Sequence, residues 1–414
     1  MTQSLDVIEL TILLPCLNEA RTVGACVEEA ALFLKRSGIR GEIVVADNGS
    51  HDGSDTIAES RGARVVRVSL RGYGASINAG CLEARGLFIV IADADGSYDL
   101  ANLDGFVEEL RRGAELVVGN RFRGGISPGA MPWKNRYIGN PVLSWIGKLL
   151  FGKQVGDFHC GLRALRKEAL PKLQLSTTGM EFASEMIIKS LLVGLKVVEV
   201  PTTLRPDGRE GTSHLRPWRD GWRHLRLMLL FAPRFLFLYP GLALIGFGGV
   251  LLVALSQGPL NVFGVIFDIH TLLYAAFMVL LGAQCLMFGA FVHVYSRVAG
   301  LKQMSSPLER LLKPASLELG VLAGIALVVT GLLGTLSGVL DWSAHGFVYM
   351  DPQNGFRKIV PSTALMFLGL QVMISSFFMG VLKIGIRRDS PLNIPSQSAS
   401  ARLAPELNRA QDPS

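Results

Sequence analysis

The sequence is poor in cysteine, and its five, Cys16, Cys26, Cys81, Cys160 and Cys285, form no C-x-x-C pair. That excludes the common structural zinc motifs, and an odd count does not suit a disulfide framework. Reduced thiols, as in a cytosol, are the expectation. No basic stretch precedes the first apolar run, which Asp6 and Glu9 flank and interrupt, so no secretory signal is expected. Internal repeats at solenoid periods are absent. Charge is missing locally as well: from Phe235 to Phe267 there is no charged residue. A gap of that length excludes an ordinary soluble domain over this part of the chain.

The first 230 or so residues carry ordinary charge density and a clear rhythm. Leu10–Pro15, Glu42–Ala46, Ala63–Val68, Leu87–Ala92, Glu115–Gly119 and Lys196–Val200 read as short apolar strands, with another strand entered from Gly156 to Leu165. Helical stretches lie between them, including Arg21–Arg36, Leu100–Arg111 and Met180–Leu192. Strands alternating with helices indicate an α/β domain with a mostly parallel sheet. Met131–Lys153 is amphipathic, setting Trp133, Tyr137 and Trp145 against Lys134, Arg136 and Lys148.

The second half reads as an all-α transmembrane domain. Segments 235–256, 271–294, 317–340 and 360–382 are each long enough to cross about 30 Å of hydrocarbon. Arg219, Arg223, Arg226 and Arg234 precede the first, Arg297, Lys302, Arg310 and Lys313 lie between the second and third, and Arg387 and Arg388 follow the fourth. Excess Lys and Arg mark the cytoplasmic side. A multi-pass protein of the inner membrane is expected, with the first domain and both termini cytoplasmic. Arg357 and Lys358 are an exception on the far side. The net charge of +7 then suits anionic lipid and phosphorylated substrates, not nucleic acid. Arg216–Leu230 interleaves Trp218 and Trp222 with arginines, as a helix on a membrane surface would. The expected division is 1–215, a cytoplasmic domain; 216–232, a juxtamembrane helix; 233–388, four membrane helices; and 389–414, a disordered cytoplasmic tail.

The chemistry centres on Leu87–Ala92, whose apolar run ends in Asp93-Ala94-Asp95-Gly96-Ser97. In extended geometry i and i+2 point the same way, so both carboxylates are expected to face one hard cation. Mg²⁺ and Mn²⁺ take a few carboxylates plus substrate phosphate oxygens. An isolated Asp-x-Asp more often only starts a turn. Here it stands in order with Pro15-Cys16-Leu17-Asn18-Glu19, Asp47-Asn48-Gly49-Ser50, Gly72-Tyr73-Gly74, Gly119-Asn120-Arg121, Asp157 with Gly161-Leu162-Arg163, and Arg209-Glu210-Gly211-Thr212-Ser213.

That ordered set resembles the family 2 glycosyltransferases of GT-A fold, and among them the polyprenyl-phosphate sugar synthases of the dolichol-phosphate mannose synthase type. The resemblance covers about residues 10–230. It implies a Rossmann-like catalytic domain and an inverting hexosyltransferase. One sugar would pass from a nucleotide sugar, GDP-mannose or UDP-glucose, to a polyprenyl phosphate. Pro15, Leu17, Asn18, Glu19 and Asp47 would hold base and ribose, with Gly72 and Gly74 giving backbone access near the nucleotide. Asp93 and Asp95 would hold Mg²⁺ or Mn²⁺ against the diphosphate, Asp93 as part of the donor site and Asp95 as a catalytic residue. Ser97 stands where relatives often carry Gln, and His214 where many carry Lys.

A polyprenyl phosphate is largely ionised near neutral pH, so it needs no strong base. Asp157 would orient it or act as a base; an ion pair with Arg163 is the alternative. Arg121, Arg136, Arg209 and Ser213 would bind its phosphate, with Arg121 also counted as catalytic and Lys134 a substitute for Arg136. Glu185 reads as a partner of Lys189 on a solvated face, and neither it nor Glu181 joins the catalytic set. Two rivals remain. A processive polysaccharide synthase of this fold would carry Gln-x-x-Arg-Trp before the membrane, where this chain has Arg216-Pro-Trp-Arg219. A non-catalytic scaffold or lipid-sugar translocating module would not need the two aspartates. Nucleotide, sugar, lipid length and homo-oligomerisation stay open.

Overall fold

The computed structural model describes residues 7–152, 154–208, 217–298, 317–348 and 352–383. Seven strands form one sheet: β1 (Leu10–Cys16), β2 (Gly41–Asp47), β3 (Arg64–Arg67), β4 (Phe88–Ile91), β5 (Leu116–Asn120), β6 (Arg163–Arg166) and β7 (Val197–Pro201). Their order is β3-β2-β1-β4-β6-β5-β7. β1 runs parallel to β2 and β4, and β5 parallel to β7. Only β6 is antiparallel to its neighbours β4 and β5. The expected mostly parallel sheet is present.

β1 and β4 are buried along their whole length, as apolar runs covered on both faces must be. Helices α1 (Val23–Ser37), α2 (Ser54–Ser60), α3 (Tyr73–Glu83) and α4 (Asp104–Arg111) connect the early strands. α1 buries Val23, Cys26, Val27, Ala30 and Phe33 and stops at Gly38, whose φ of 65° suits glycine. From β1 the chain moves outward to β2 and β3, then returns to place β4 on β1's other side. The carboxyl ends of β1 and β4 therefore form a topological switch point, where open α/β sheets bind ligands.

α4 begins later than the expected Leu100. The Leu100 N–H donates to Glu29 of α1, 3.1 Å away, and the Ala101 N–H to Asp99 at 3.2 Å. These side-chain acceptors hold a turn where helix would otherwise start.

Among the described residues four helices are long and apolar enough to cross a membrane: Arg234–Gln257, Ile269–Ser296, Leu317–Ala344 and Gln353–Leu382. The last starts well before the expected 360. Arg357 pairs with Asp268, and Lys358 with Asp341. Arg357 also donates to the Leu255 carbonyl at 2.8 Å. Each of these two cations thus has a carboxylate beside it, and the helix runs on through both. Glycines set the helix spacing. A Cβ on Gly241 would stand 2.9 Å from the Gly282 carbonyl oxygen, and one on Gly324 2.7 Å from that of Gly369. Gln284 and Gln371 hydrogen-bond between the second and fourth spans. The tail expected from 389 lies outside the described residues.

Candidate active site

The end of the site expected to hold the donor is built from two neighbouring turns. β1 and β2 pair through Cys16 and Asp47, so the segments after them lie side by side. The Asn18 N–H donates to Ser50 Oγ at 2.9 Å, and Asn18 Oδ1 accepts the His51 N–H at 2.9 Å. Asn18 has φ 57°, a left-handed conformation that Asn tolerates better than most residues. The Glu19 N–H donates to Ser54 Oγ at 2.8 Å, and its carboxylate accepts the Thr22 hydroxyl at 3.1 Å. Pro15 is buried and Leu17 half-buried beside them. The buried Asp47 carboxylate accepts the N–H groups of Gly49 at 3.0 Å and Ser50 at 3.1 Å. It forms the turn expected of Asp before Asn-Gly.

Asn48, which the sequence did not single out, fastens the next loop. Its Nδ2 donates to the Leu70 carbonyl at 2.8 Å, and its Oδ1 accepts the Gly72 N–H at 2.7 Å. Gly72 and Gly74 are glycines for a reason other than nucleotide access. A Cβ on Gly72 would overlap the Thr178 carbonyl oxygen, and one on Gly74 would come within 2.5 Å of the Thr177 carbonyl oxygen. The Gly74 N–H donates to Thr178 O at 2.9 Å. Glu185 holds that Thr177–Thr178 loop by accepting the N–H groups of Ser176 and Thr177, 3.1 and 2.9 Å away. It also pairs with Lys189 at 2.6 Å. The pair is as expected, but its face is buried, not solvated. Burial pushes the Glu185 pKa up; the Lys189 and Thr177 donors outweigh that and hold it below the usual value.

Strand geometry stops at Ile91, so Asp93 and Asp95 stand in the turn after β4 and not on an extended segment. Tyr73 Oη donates to Asp93 Oδ1 at 2.9 Å. The other Asp93 oxygen lies against Gly161, where a Cβ would overlap it. Asp95 Oδ1 accepts the Ser97 N–H at 3.0 Å. The turn is clasped from outside: the Arg205 N–H donates to Ser97 O at 2.8 Å and the Gly208 N–H to Asp95 O at 3.0 Å. Ser97 thus serves the turn through its backbone. A carboxylate offers about four lone-pair sites, so it can accept such donors and also bind a cation. Among the described residues no group of three or more His, Cys, Asp and Glu comes together. Two carboxylates alone suit a divalent ion that completes its shell with phosphate and water, as Mg²⁺ does.

The end of the site expected to hold the acceptor is assembled over longer range. Arg121, just past β5, donates to Asp157 through Nε at 2.7 Å and Nη2 at 2.8 Å. The two side chains are 9% and 0% exposed. Burial disfavours the Arg121 charge, but Tyr98 and the Asp157 carboxylate outweigh it and raise its pKa. The alternative pair, Asp157 with Arg163, is not formed. Arg163 donates instead to the carbonyls of Cys160 at 2.7 Å and Phe158 at 3.2 Å, and to that of Ala183. Glu199 of β7 accepts the Asp157 N–H at 3.0 Å and Asn120 Nδ2 at 3.1 Å, closing the loop onto β5. It carries no local signal, being one Glu in a Val-rich strand.

The Asp157 loop then rests on two helices. The Phe158 ring packs on Gly147 of the helix Asn140–Phe151, where a Cβ would stand 2.7 Å from it. The His159 ring meets His224 of the helix Pro217–Leu230 edge-on, with centroids 4.6 Å apart. His224 Nδ1 shares a 2.8 Å hydrogen bond with Ser184 Oγ. Arg136, half-buried in the π-helical turn Asn135–Gly139, stacks over Tyr137 at 5.5 Å. Arg209 and Ser213 lie outside the described residues.

Residues 11–174 match the family described as glycosyl transferase family 2, and residues 290–383 match the glycosyltransferase family 2 C-terminal transmembrane region. The low-salt glycan biosynthesis hexosyltransferase Agl6 of Haloferax volcanii is 35% identical over 377 residues, which cover 90% of this chain and 89% of that protein. A dolichyl-phosphate hexose transferase of the same organism is 29% identical over 214 residues, 51% of this chain and 89% of that one. The polyprenol monophosphomannose synthase of Mycolicibacterium smegmatis is 31% identical over 174 residues, 39% of this chain and 65% of that one. The chain belongs to the family 2 glycosyltransferases, in the branch whose catalytic domain is followed by a transmembrane region.

Proposed function

We propose that this enzyme transfers one sugar, with inversion, from a nucleotide sugar to a polyprenyl phosphate at the cytoplasmic face of the inner membrane. One observation carries the reading: the Asp157 loop sits on the two helices whose outer faces are aromatic and bare. Trp133, Tyr137 and Trp145 are exposed around the first helix, and Trp218 and Trp222 on the second. Amphipathic rings of this kind favour headgroup depth. Arg234, which opens the first span, donates to the Leu150 carbonyl at 3.0 Å, tying the first helix to the membrane region. The acceptor end of the site therefore faces lipid. The names of the dolichyl-phosphate and polyprenol relatives support the same acceptor class.

In this reading Pro15–Glu19 and Asp47 bind the nucleoside, with Gly72 and Gly74 shaping the loop beside it. Asp93 and Asp95 hold Mg²⁺ or Mn²⁺, which would neutralise charge on the departing diphosphate. Tyr73 and the Ser97 N–H fix the two carboxylates. The acceptor phosphate is ionised without help. Asp157 then acts by orienting Arg121, whose cation faces the acceptor side, while Arg136, Arg209 and Ser213 bind the phosphate. Residues 1–215 form the cytoplasmic unit, 216–232 the juxtamembrane helix, and 233–388 the membrane unit, with both termini inside.

The test uses purified protein, Mg²⁺ or Mn²⁺, a panel including UDP-glucose and GDP-mannose, and undecaprenyl or dolichyl phosphate. Mass spectrometry should find lipid carrying one hexose. Lipid-free polymer would favour the processive synthase, and no transfer with any donor would favour the scaffold.

A further inference from the structure

The end of the membrane region away from the catalytic domain carries a feature that sugar transfer does not use. Between the first and second spans, Leu260–Val262 (β8) and Val265–Phe267 (β9) form a two-stranded hairpin with Val262 opposite Val265. Every residue from Asn261 to Phe267 is exposed, and five of these seven are Val, Phe or Ile. The turn residues are Phe263, φ 52°, and Gly264, φ 82°. Glycine takes that conformation at no cost, whereas a bulky aromatic residue there is an outlier. Positive φ at both turn residues is what a tight two-residue hairpin demands, and Asn261 Oδ1 accepts the Gly264 N–H at 3.1 Å, yet the Phe263 side chain itself is fully exposed. The hairpin is nevertheless held firmly. Arg357 bridges Asp268 at the foot of β9 and the Leu255 carbonyl near the end of the first span. An exposed, apolar and rigidly mounted tip, with an aromatic residue where a turn usually carries Asn or Gly, points to an external apolar environment.

We infer that this hairpin is embedded in the outer-leaflet interface of the bilayer, with Phe263 and Ile266 below the headgroups. The occupant of the surface is lipid because the hairpin continues directly from a membrane span. At about 1.5 Å per residue, the helix Arg234–Gln257 already exceeds about 30 Å of hydrocarbon. The hairpin then falls at headgroup level, where water still reaches the unpaired edges of its two strands and the side chains reach acyl chains. The turn after the third span has the same character: Trp342 donates to the Val348 carbonyl at 3.0 Å, and exposed Phe347 packs edge-on against it. Together they make an aromatic collar on the far side.

The test is Trp fluorescence of the full chain in phosphatidylethanolamine/phosphatidylglycerol vesicles. Phe263→Trp and, separately, Ile266→Trp are compared with the parent, and the added emission is taken by difference. Both additions should be blue-shifted, quenched more by lipids brominated near the headgroup than deep in the chain, and shielded from iodide. Red-shifted emission open to iodide would place the hairpin in water and overturn the inference. Shielding that disappears as the vesicles are diluted in protein would assign the surface to a second copy of the chain, which overturns it equally.

Discussion

The two ends of the active site are built differently. At the donor end, Asn18, Asp47, Asn48 and Asp95 hold backbone groups of their own or an adjacent turn. At the acceptor end, Asp157 meets Arg121 from 36 positions away and is held by Glu199 from 42 positions beyond. Its loop then leans on two helices whose outer faces carry exposed tryptophans. The first arrangement presents a fixed platform for a soluble ligand that always has the same shape. The second makes the geometry at Asp157 depend on elements that we propose rest on the bilayer surface. Binding of donor and of lipid should therefore respond to different kinds of damage.

The largest expected effect is at the turn between the ends. Asp95→Ala should lower transfer by at least about a hundredfold, the scale of losing one charge-stabilising group at a reacting centre, with the thermal unfolding curve preserved. Near-normal turnover at saturating Mn²⁺ would remove Asp95 from the metal role. Next is Asp157→Ala, which leaves the Arg121 guanidinium buried without its carboxylate. Breaking such a pair costs about 3–5 kcal/mol. A marked fall in melting temperature is expected, with Asp157→Asn intermediate; an unchanged melting temperature would mean that the pair is not buried in solution.

The acceptor end should also be the acid-sensitive one. Burial, with Arg163 nearby, pushes the His224 pKa down to about 4, while burial, His224 and Arg121 hold His159 well below its usual value. Both stay neutral in the fold, whereas the unfolded chain takes up protons below about 6.5. Their stabilising contribution is complete above pH 6.5 and is lost as pH falls toward 4, amounting to about 2–3 kcal/mol for His224. Asp220, on the same helix, moderates the shift. His224→Phe should flatten the decline in unfolding free energy between pH 6.5 and 4; an equally steep decline would place the sensitivity elsewhere.

The smallest effect sharpens the donor end. Gly74→Ala places a methyl against the Thr177 carbonyl and the Phe182 ring. Overpacking of this sort costs about 1–3 kcal/mol. Stability should fall with only a parallel, modest loss of donor affinity. A large rise in donor Kd at unchanged stability would return Gly74 to a direct nucleotide role.

Local chemistry was enough for much of the molecule. Apolar runs announced β1, β2 and β4, the last two closing on Asp47 and Asp93, and uninterrupted hydropathy announced the spans, because periodicity and composition act through chain neighbours. The turn formed by Asp47 belongs to the same class, since its partners Gly49 and Ser50 sit two and three residues on, whereas Asn18 meets Ser50 and His51 only because the loops after β1 and β2 lie side by side. Other features depended on what approaches from elsewhere. Gly72 and Gly74 looked like room for a ligand, yet the loop that needs the room comes from Thr177 and Thr178. Glu185 found its Lys189 one helical turn away as expected, but only packing decided that the pair would be buried. Arg357 and Lys358 looked like a reason to start the last span at 360; Asp268 and Asp341 neutralise them and let the helix begin at Pro352. Most of all, the sequence offered Asp157 only Arg163 as a partner, and the pair with Arg121 was not foreseen. The sheet order places the β5 end, with Arg121, at its carboxylate and turns Arg163 toward backbone carbonyls. A guanidinium chooses its partner by distance in space, and that distance does not exist until the strands have paired.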